Sequence, residues 1–369
     1  MTWAPQQEQA IKAVRAWLAD RRGPQVFRLF GYAGTGKTTL AKALAEDVPG
    51  TVLYACFTGK AAMVLRSKGC DGAGTIHSLI YRVESDDETG EAEFSLNPES
   101  PLASASLLVV DEVSMVGEEL ARDLLSFGTK VLVLGDPAQL PPVKGEGFFI
   151  NAKPDAMLTE VHRQAADNPI IRMSMDVREG RGLKPGQYGT SRVVRRADIT
   201  RDEMAAIVLG ADQLLCGRNL TRHAFNGRVR ALKGFRDPLP QDGDRLICLR
   251  NNHKRGFLNG SIWRAVGASS SVARTVSLQA MPEDTPGGIE ALDVRQEFFA
   301  GTEGELEWKE RRRSDEFTYG WAITVHKSQG SQWPSVCVYD ESGAFRDSRA
   351  NHLYTAVTRA AEQVTVVLP

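Results

Sequence analysis

The first apolar residues recur at helical spacing. Ala10, Ile11, Val14, Trp17 and Leu18 fall on one face, and Pro5 sits where the first turn of a helix has no use for the missing N–H. The spacing predicts a docked amphipathic helix. Four short, continuous apolar runs follow, at 26–30, 51–57, 107–110 and 131–134, each ending in a loop rich in Gly, Asp, Thr or Pro. Continuous runs alternating with helical patterns are what a parallel sheet covered on both faces requires, because its strands have no wet side. Loops that carry chemistry are then expected at the carboxyl ends of the strands.

Between 79 and 105 this pattern breaks into a polar, acidic stretch centred on Asp86-Asp87-Glu88-Thr89-Gly90, flanked by Tyr81, Val83, Phe94 and Leu96. It predicts a small inserted β-hairpin. A second α/β region begins near Asp167. In it, Thr200-x-x-Glu203 forms a capping box ahead of the apolar segment 205–209, and strands are expected at 213–216, 336–339 and 364–368. From 236 to 316 the chain becomes Gly-punctuated, with strand-like pieces at 244–249, 262–266, 272–278 and 291–294. These predict a small all-β module set into the second region.

Composition adds bounds rather than chemistry. With 369 residues, 42% of them apolar, the chain is long enough for two or three domains with their own cores. Its 45 basic and 46 acidic residues nearly cancel, so any nucleic-acid contact must come from a local groove and not from a uniformly basic surface. The five cysteines are scattered with no CxxC pair, which argues against zinc and against a disulfide framework. Residues 1–9 lack a signal pattern and no run of about 18 apolar residues occurs, so a cytoplasmic protein with no membrane span is expected.

The chemistry starts at Gly31-Tyr32-Ala33-Gly34-Thr35-Gly36-Lys37-Thr38-Thr39, which follows an apolar run and precedes a helical pattern. This is the P-loop in its strand–loop–helix context. Its glycines let backbone N–H groups turn inward around phosphate oxygens, Lys37 neutralises the β and γ phosphates of ATP, and Thr38 ligates Mg²⁺. The run 107–110 ends in Asp111-Glu112, where Asp111 is placed to hold the Mg²⁺ through water and Glu112 to orient and deprotonate the attacking water. A third run ends in Gly135-Asp136-Pro137-Ala138-Gln139-Leu140-Pro141-Pro142, whose Gln139 is suited to sense the γ-phosphate.

In this order, the P-loop, Asp111-Glu112-Val113-Ser114-Met115 and the Gln139 loop resemble motifs I, II and III of superfamily 1 helicases. The resemblance is to the RecD-like and Dda-type 5′-to-3′ branch. It continues through Gln7-Glu8-Gln9-Ala10-Ile11 (Q motif), 57–62 (motif Ia), 74–78 (Ib), 158–164 (IV), 324–330 (V) and 354–360 (VI), and so spans residues 7 to 360. It implies two RecA-like domains with ATP clamped between them. One, domain 1A, comprises 1–78 and 106–166, with 79–105 as an inserted 1B hairpin. The other, domain 2A, comprises 167–235 and 317–369, with 236–316 as an SH3-like 2B insertion. By the same resemblance Gln7 reads adenine, the ATP contacts are Gly34, Thr35, Gly36, Lys37, Thr38 and Thr39, and Arg163 and Arg359 are arginine fingers. Such fingers suit the charge that develops on phosphoryl oxygens because a guanidinium is rigid and always protonated. Thr58, Lys60, Thr75, His77, Thr324, His326, Lys327 and Gln329 are assigned to the single-strand track.

One residue departs from the family pattern. An acidic residue often meets the ribose after motif V, whereas here Gly330-Ser331 leads to Gln332, which retains hydrogen bonding without charge. In the family, domain 1B forms a pin at the duplex junction, where each base-pair step holds about 1.4 kcal/mol of stacking. Phe94 is the expected pin contact. The function implied is an ATP-dependent 5′-to-3′ DNA helicase, monomeric, acting on single-stranded DNA and on single-strand/duplex junctions with accessory replication or repair proteins. Three rival outputs share these motifs: a translocase that displaces proteins without unwinding, a nucleotide switch that senses nucleic acid, and the motor subunit of a larger complex.

Overall fold

The computed structural model describes residues 3–85, 92–141, 147–160, 167–252, 255–283 and 287–369, and the chain divides into two units, 1–178 and 179–369. In the first unit, helix α1 (Pro5–Ala19) leads into β1 (Val26–Gly31), α2 (Lys37–Glu46), β2 (Val52–Cys56), α3 (Gly59–Ser67), β3 (Gly74–Thr75) and α4 (Ile76–Ile80). The hairpin β4 (Tyr81–Ser85) and β5 (Ala92–Leu96) follows, then β6 (Leu107–Asp111), α5 (Glu118–Leu125), β7 (Val131–Gly135), β8 (Ala156–Leu158) and α6 (Pro169–Arg178). Six of the strands form one parallel sheet in the order β3-β2-β6-β7-β1-β8.

The strands alternate at period two between two cores. Leu107 and Val109, Leu132 and Leu134, and Phe27 and Leu29 face α1 and α2 through Val14, Trp17, Leu40 and Leu44. Leu108 and Val110, Val131 and Val133, and Val26 and Phe30 face the other side, with Ile76, Ile80, Leu120 and Leu124. All are buried, which is why the runs read as continuously apolar. Lys130, at the edge of one layer, lies over the Trp17 ring and donates to the Trp17 carbonyl at 2.7 Å.

The second unit contains β9 (Gly186–Tyr188), β10 (Ser191–Arg195), α7 (Arg201–Leu209), β11 (Gln213–Cys216) and α8 (Asn219–Leu232). After these come β12 (Arg245–Cys248), β13 (Ile262–Val272), β14 (Thr275–Pro282), β15 (Glu290–Arg295), α9 (Gln296–Ala300) and α10 (Trp308–Arg312). The last elements are β16 (Phe317–Tyr319), β17 (Ala322–Thr324), β18 (Trp333–Tyr339), α11 (Arg349–Val357) and β19 (Ala360–Leu368). One sheet, β17-β11-β18-β19-β10-β9, is parallel except at β9; the other, β15-β14-β13-β12-β16, is antiparallel. The capping box forms at α7: Thr200 Oγ1 accepts from Glu203 N at 3.2 Å and Glu203 Oε2 from Thr200 N at 2.7 Å.

The boundaries differ from the sequence expectation in three places. Helix α6 belongs to the first unit, although the second α/β region was expected from 167. Strand β16, expected to open domain 2A, instead pairs with β12 at the edge of the antiparallel sheet. The expected strand 272–278 crosses a turn, since Ala273 (φ 50°) and Arg274 (φ 64°) both adopt left-handed backbone between β13 and β14. Ala-Arg lacks the Asn-Gly signal that usually marks such a turn, so the sequence hides it.

Candidate functional site

Strand order places the chemistry. The carboxyl ends of β6, β7 and β1 lie side by side, with Val110 opposite Val133 and Phe30 opposite Gly135. The P-loop, Asp111-Glu112 and the Gln139 loop therefore leave one edge of the sheet together. In the P-loop, Gly34 and Gly36 both have φ of 78°, left-handed backbone that costs glycine nothing and points successive N–H groups into one concavity. Gly31 is required for a different reason. A Cβ there would lie 2.9 Å from the Leu158 Cβ and 3.0 Å from its carbonyl oxygen. Helix α2 begins at Lys37, so its positive end faces the same concavity, and Thr39 is exposed in its first turn.

Two groups brace this loop. Gln7 is buried, accepts from Ala4 N at 3.1 Å and donates Nε2 to the Thr35 carbonyl at 3.1 Å. The Thr35 hydroxyl in turn donates to the Tyr32 carbonyl at 2.8 Å. Lys37 Nζ folds back onto the carbonyls of Gly31 and Tyr32, the latter at 3.0 Å. The Arg178 guanidinium, at the end of α6, stacks over the Tyr32 ring at 3.7 Å.

Thr38 Oγ1 donates to Asp111 Oδ2 at 2.8 Å, although the two residues are 73 apart in sequence. Both are hard oxygens of the kind Mg²⁺ takes, so the residues brought together here fit such an ion. The other Asp111 oxygen accepts from Glu112 N at 2.8 Å. Glu112 itself is left-handed, φ 56° and ψ 46°, a conformation costing a non-glycine residue about 1–2 kcal/mol. That bend turns the chain off the strand so that consecutive carboxylates can serve different tasks. Ser114 Oγ donates to Gln139 Oε1 at 3.5 Å, tying the second motif loop to the third, and within the third Asp136 Oδ1 accepts from Ala138 N at 3.0 Å. Cys56 pairs with Asp111 in the sheet, and burial, reinforced by Asp111 and Glu112, pushes its thiol up.

Motifs Ia and Ib leave β2 and β3, at the other half of the same sheet edge. Thr58 caps α3 by accepting from Ala61 N at 3.2 Å, and Thr75 caps α4 by accepting from Ser78 N at 3.0 Å. Lys60 is buried and His77 is exposed. The His77 ring lies edge-on to Phe57 at 6.0 Å and 5.8 Å from Tyr81, whose hydroxyl donates to Asp123. This aromatic group was invisible in the sequence because its members come from three elements.

In the second unit, Thr324 ends β17, and its Oγ1 accepts from Lys327 N at 3.4 Å. Lys327 Nζ donates to Asn259 Oδ1 at 3.4 Å, joining motif V to the antiparallel sheet's loops. Gln329 is buried, and Gln332 donates to the Ala360 carbonyl at 3.5 Å. Arg359 is buried within its own unit: Nε donates to the Thr355 carbonyl at 3.1 Å and one terminal nitrogen to the Ser331 carbonyl at 3.3 Å. Arg163 and the side chain of Phe94 lie outside the described residues. The basic run at 309–313 is partly spent on the fold, since Arg311 donates to Glu316 Oε2 at 2.7 Å and Arg312 lies over the Trp308 ring. Another buried pair went unread in the sequence. Arg230 Nε lies 3.1 and 3.0 Å from the two Asp244 oxygens, fixing α8 to the start of β12.

Two families match the chain: "AAA domain" over residues 3–198 and "UvrD-like helicase C-terminal domain" over residues 319–367. The ATP-dependent RecD2 DNA helicase of Deinococcus radiodurans is 30% identical over 92% of this chain, which spans 46% of that relative. The ATP-dependent DNA helicase dda of Enterobacteria phage T4 is 34% identical over 41% of this chain and 37% of its own length. The chain thus spans less than half of either relative. Among solved structures, Bacteroides Pif1 bound to ssDNA superposes with a TM-score of 0.57 over 99% of this chain and 92% of its own, at 17% identity, a likeness of fold.

Proposed function

The chain belongs to the superfamily 1B helicases, related to RecD2, Dda and Pif1, and from that premise we propose that it is an ATP-dependent 5′-to-3′ DNA helicase. It hydrolyses ATP to move along single-stranded DNA and to open duplex at the junction. The observation that carries this reading is the 2.8 Å contact between Thr38 of the P-loop and Asp111, with Glu112 next to it in left-handed backbone.

ATP phosphates replace the loop carbonyls as partners of Lys37, and the P-loop N–H groups donate to the β-phosphate oxygens. Thr38 and Asp111 would hold Mg²⁺, which supplies charge neutralisation at the phosphates. Glu112 takes the proton of a water whose oxygen bonds to the γ-phosphorus as the bond to the β-bridging oxygen breaks, leaving ADP and phosphate. Gln139 orients that water or the γ-phosphate, and Gln7 adds adenine contact while bracing Thr35. Arg359 and Arg163 act as arginine fingers; Arg359 first leaves the Ser331 and Thr355 carbonyls. Thr58, Lys60, Thr75, His77, Thr324, His326, Lys327 and Gln329 line the strand's path, with Phe57, His77 and Tyr81 offering faces for base stacking, worth about 1–3 kcal/mol per base. Phe94 is the pin contact and Gln332 meets the ribose.

The test compares unwinding of duplexes carrying a 5′ or a 3′ single-stranded tail, in DNA and in RNA, with Lys37→Ala and Glu112→Gln as controls. The 5′-tailed DNA is expected to be opened and both variants to be inactive. Preference for a 3′ tail would overturn the polarity, and unwinding by Lys37→Ala would overturn the mechanism.

A further inference from the structure

We propose that His352 is a positioning residue that couples motif V to the arginine of motif VI, acting through Phe345 and His326. The inference rests on the ATP hydrolysis coupled to movement on single-stranded DNA proposed above, which implies an ATPase stimulated by DNA.

His352, on α11, is completely buried, and among the described residues neither of its ring nitrogens has a hydrogen-bond partner. A leucine or phenylalanine would fill the same space without leaving a donor and an acceptor unmet. Its ring is stacked on Phe345, centroids 4.1 Å apart and planes within 16°. Phe345 also lies 5.7 Å from the ring of His326 in motif V, and the two histidine rings are 6.3 Å apart. On its other side Phe345 covers Gly217 at the end of β11, where an added Cβ would lie 2.8 Å from the ring.

The segment carrying Phe345 is itself under constraint. Arg346 has φ 44° and ψ −111°, a region that non-glycine residues rarely adopt. Ser342 Oγ is buried and, like His352, has no hydrogen-bond partner among the described residues. Glu341 anchors the segment, accepting from Gly217 N at 2.8 Å, Arg218 N at 3.0 Å and Thr221 Oγ1 at 2.6 Å. Unmet polar groups and a strained residue between two anchored elements describe a segment with a second arrangement in which those groups are met. Burial, with His326 adding, holds the His352 imidazole down at about 3, so it is neutral and offers one donor and one acceptor. A second imidazole, that of His326, has its ring centroid 6.3 Å away.

The output is Arg359. His352 and Thr355 are three residues apart on α11, and the Thr355 carbonyl holds Arg359 Nε at 3.1 Å. When a polynucleotide engages motif V and brings His326 towards His352, the shift of α11 withdraws that anchor and frees the guanidinium for the γ-phosphate.

The experiment uses the full chain with His352→Leu and His352→Gln, and oligo(dT) as the probe. It reads kcat and KM for ATP with and without oligo(dT), the affinity for labelled oligo(dT), and the thermal midpoint. His352→Leu is expected to melt at or above the parent temperature and to keep unstimulated turnover and oligo(dT) affinity within about twofold, while stimulated kcat falls about tenfold. His352→Gln, which restores a donor and an acceptor, is expected to recover part of the stimulation. Full stimulation in His352→Leu overturns the proposal, and so does a His352→Gln variant as impaired as His352→Leu. A parent chain whose turnover oligo(dT) does not change overturns the DNA-stimulated reading itself, an outcome seen before any variant is compared.

Discussion

Lys37 rests on carbonyl oxygens of the P-loop and Arg359 on those of Thr355 and Ser331, so each cation has hydrogen-bond partners before any phosphate arrives. Partial compensation of this kind lets a sequence bury a guanidinium that would otherwise be costly to desolvate. His352 lacks such compensation, and its titration is a direct readout. Its folded value is depressed below the ordinary 6.5, so the unfolded chain binds the proton first and stability falls as pH drops below about 6.5. Between pH 7 and pH 5 this one group is expected to remove about 2 kcal/mol, a loss that His352→Leu escapes. Urea unfolding of the two proteins at both pH values measures the difference. Equal losses would place His352 in contact with water in the folded chain. At this scale Lys37, Thr38, Asp111 and Glu112 stood out in the sequence because phosphate chemistry asks for their type and spacing, and the fold brings Thr38 to Asp111. His352 was not, because a histidine is informative only once its neighbours are known.

Elements turn those residues into a site. Strand β1 ends at Gly31 against Leu158 of β8, and the P-loop starts from that contact. Gly31→Ala must push β8 or the loop aside, an overpacking that costs about 1–3 kcal/mol. The expected outcome is a raised KM for ATP together with a melting temperature lowered by several degrees, because the loop yields before the sheet does. An unchanged KM would show that Leu158 gives way instead. The apolar runs announced β1, β2, β6 and β7 because buried parallel strands need both faces apolar. They did not announce β9, β10 or β17, which are three to five residues long and mix polar with apolar positions. The hairpin at Ala273-Arg274 was hidden for another reason: its turn uses residues that rarely take positive φ.

For the molecule as a whole, the decisive joint within the second unit is Arg230 with Asp244. Asp244 is fully buried, meets Arg230 from α8 and also accepts from the Trp321 indole at 3.0 Å. The guanidinium adds bonds to the carbonyls of Asp237 and Leu239, both at 2.8 Å, so the entry to the antiparallel sheet is closed around it. Asp244→Ala leaves a buried cation uncompensated and is expected to cost about 3–5 kcal/mol, seen as early unfolding of the second unit in denaturant. A loss under 1 kcal/mol on the same scale would mean that Arg230 reaches solvent when released.

By itself the sequence determined the residue pattern of a phosphate-binding loop, the alternation of strand and helix, and the ordered motifs that carry the family. These are local properties: a P-loop needs its glycines and lysine within nine residues, and burial writes its period directly into the strand. Only the tertiary structure decided which distant residues meet. It joined Thr38 to Asp111, grouped Phe57, His77 and Tyr81, assigned α6 to the first unit, stowed Arg359 on Ser331 and Thr355, and enclosed His352 beside Phe345. Each is a contact between elements, set by strand order and packing, and no spacing along the chain encodes it.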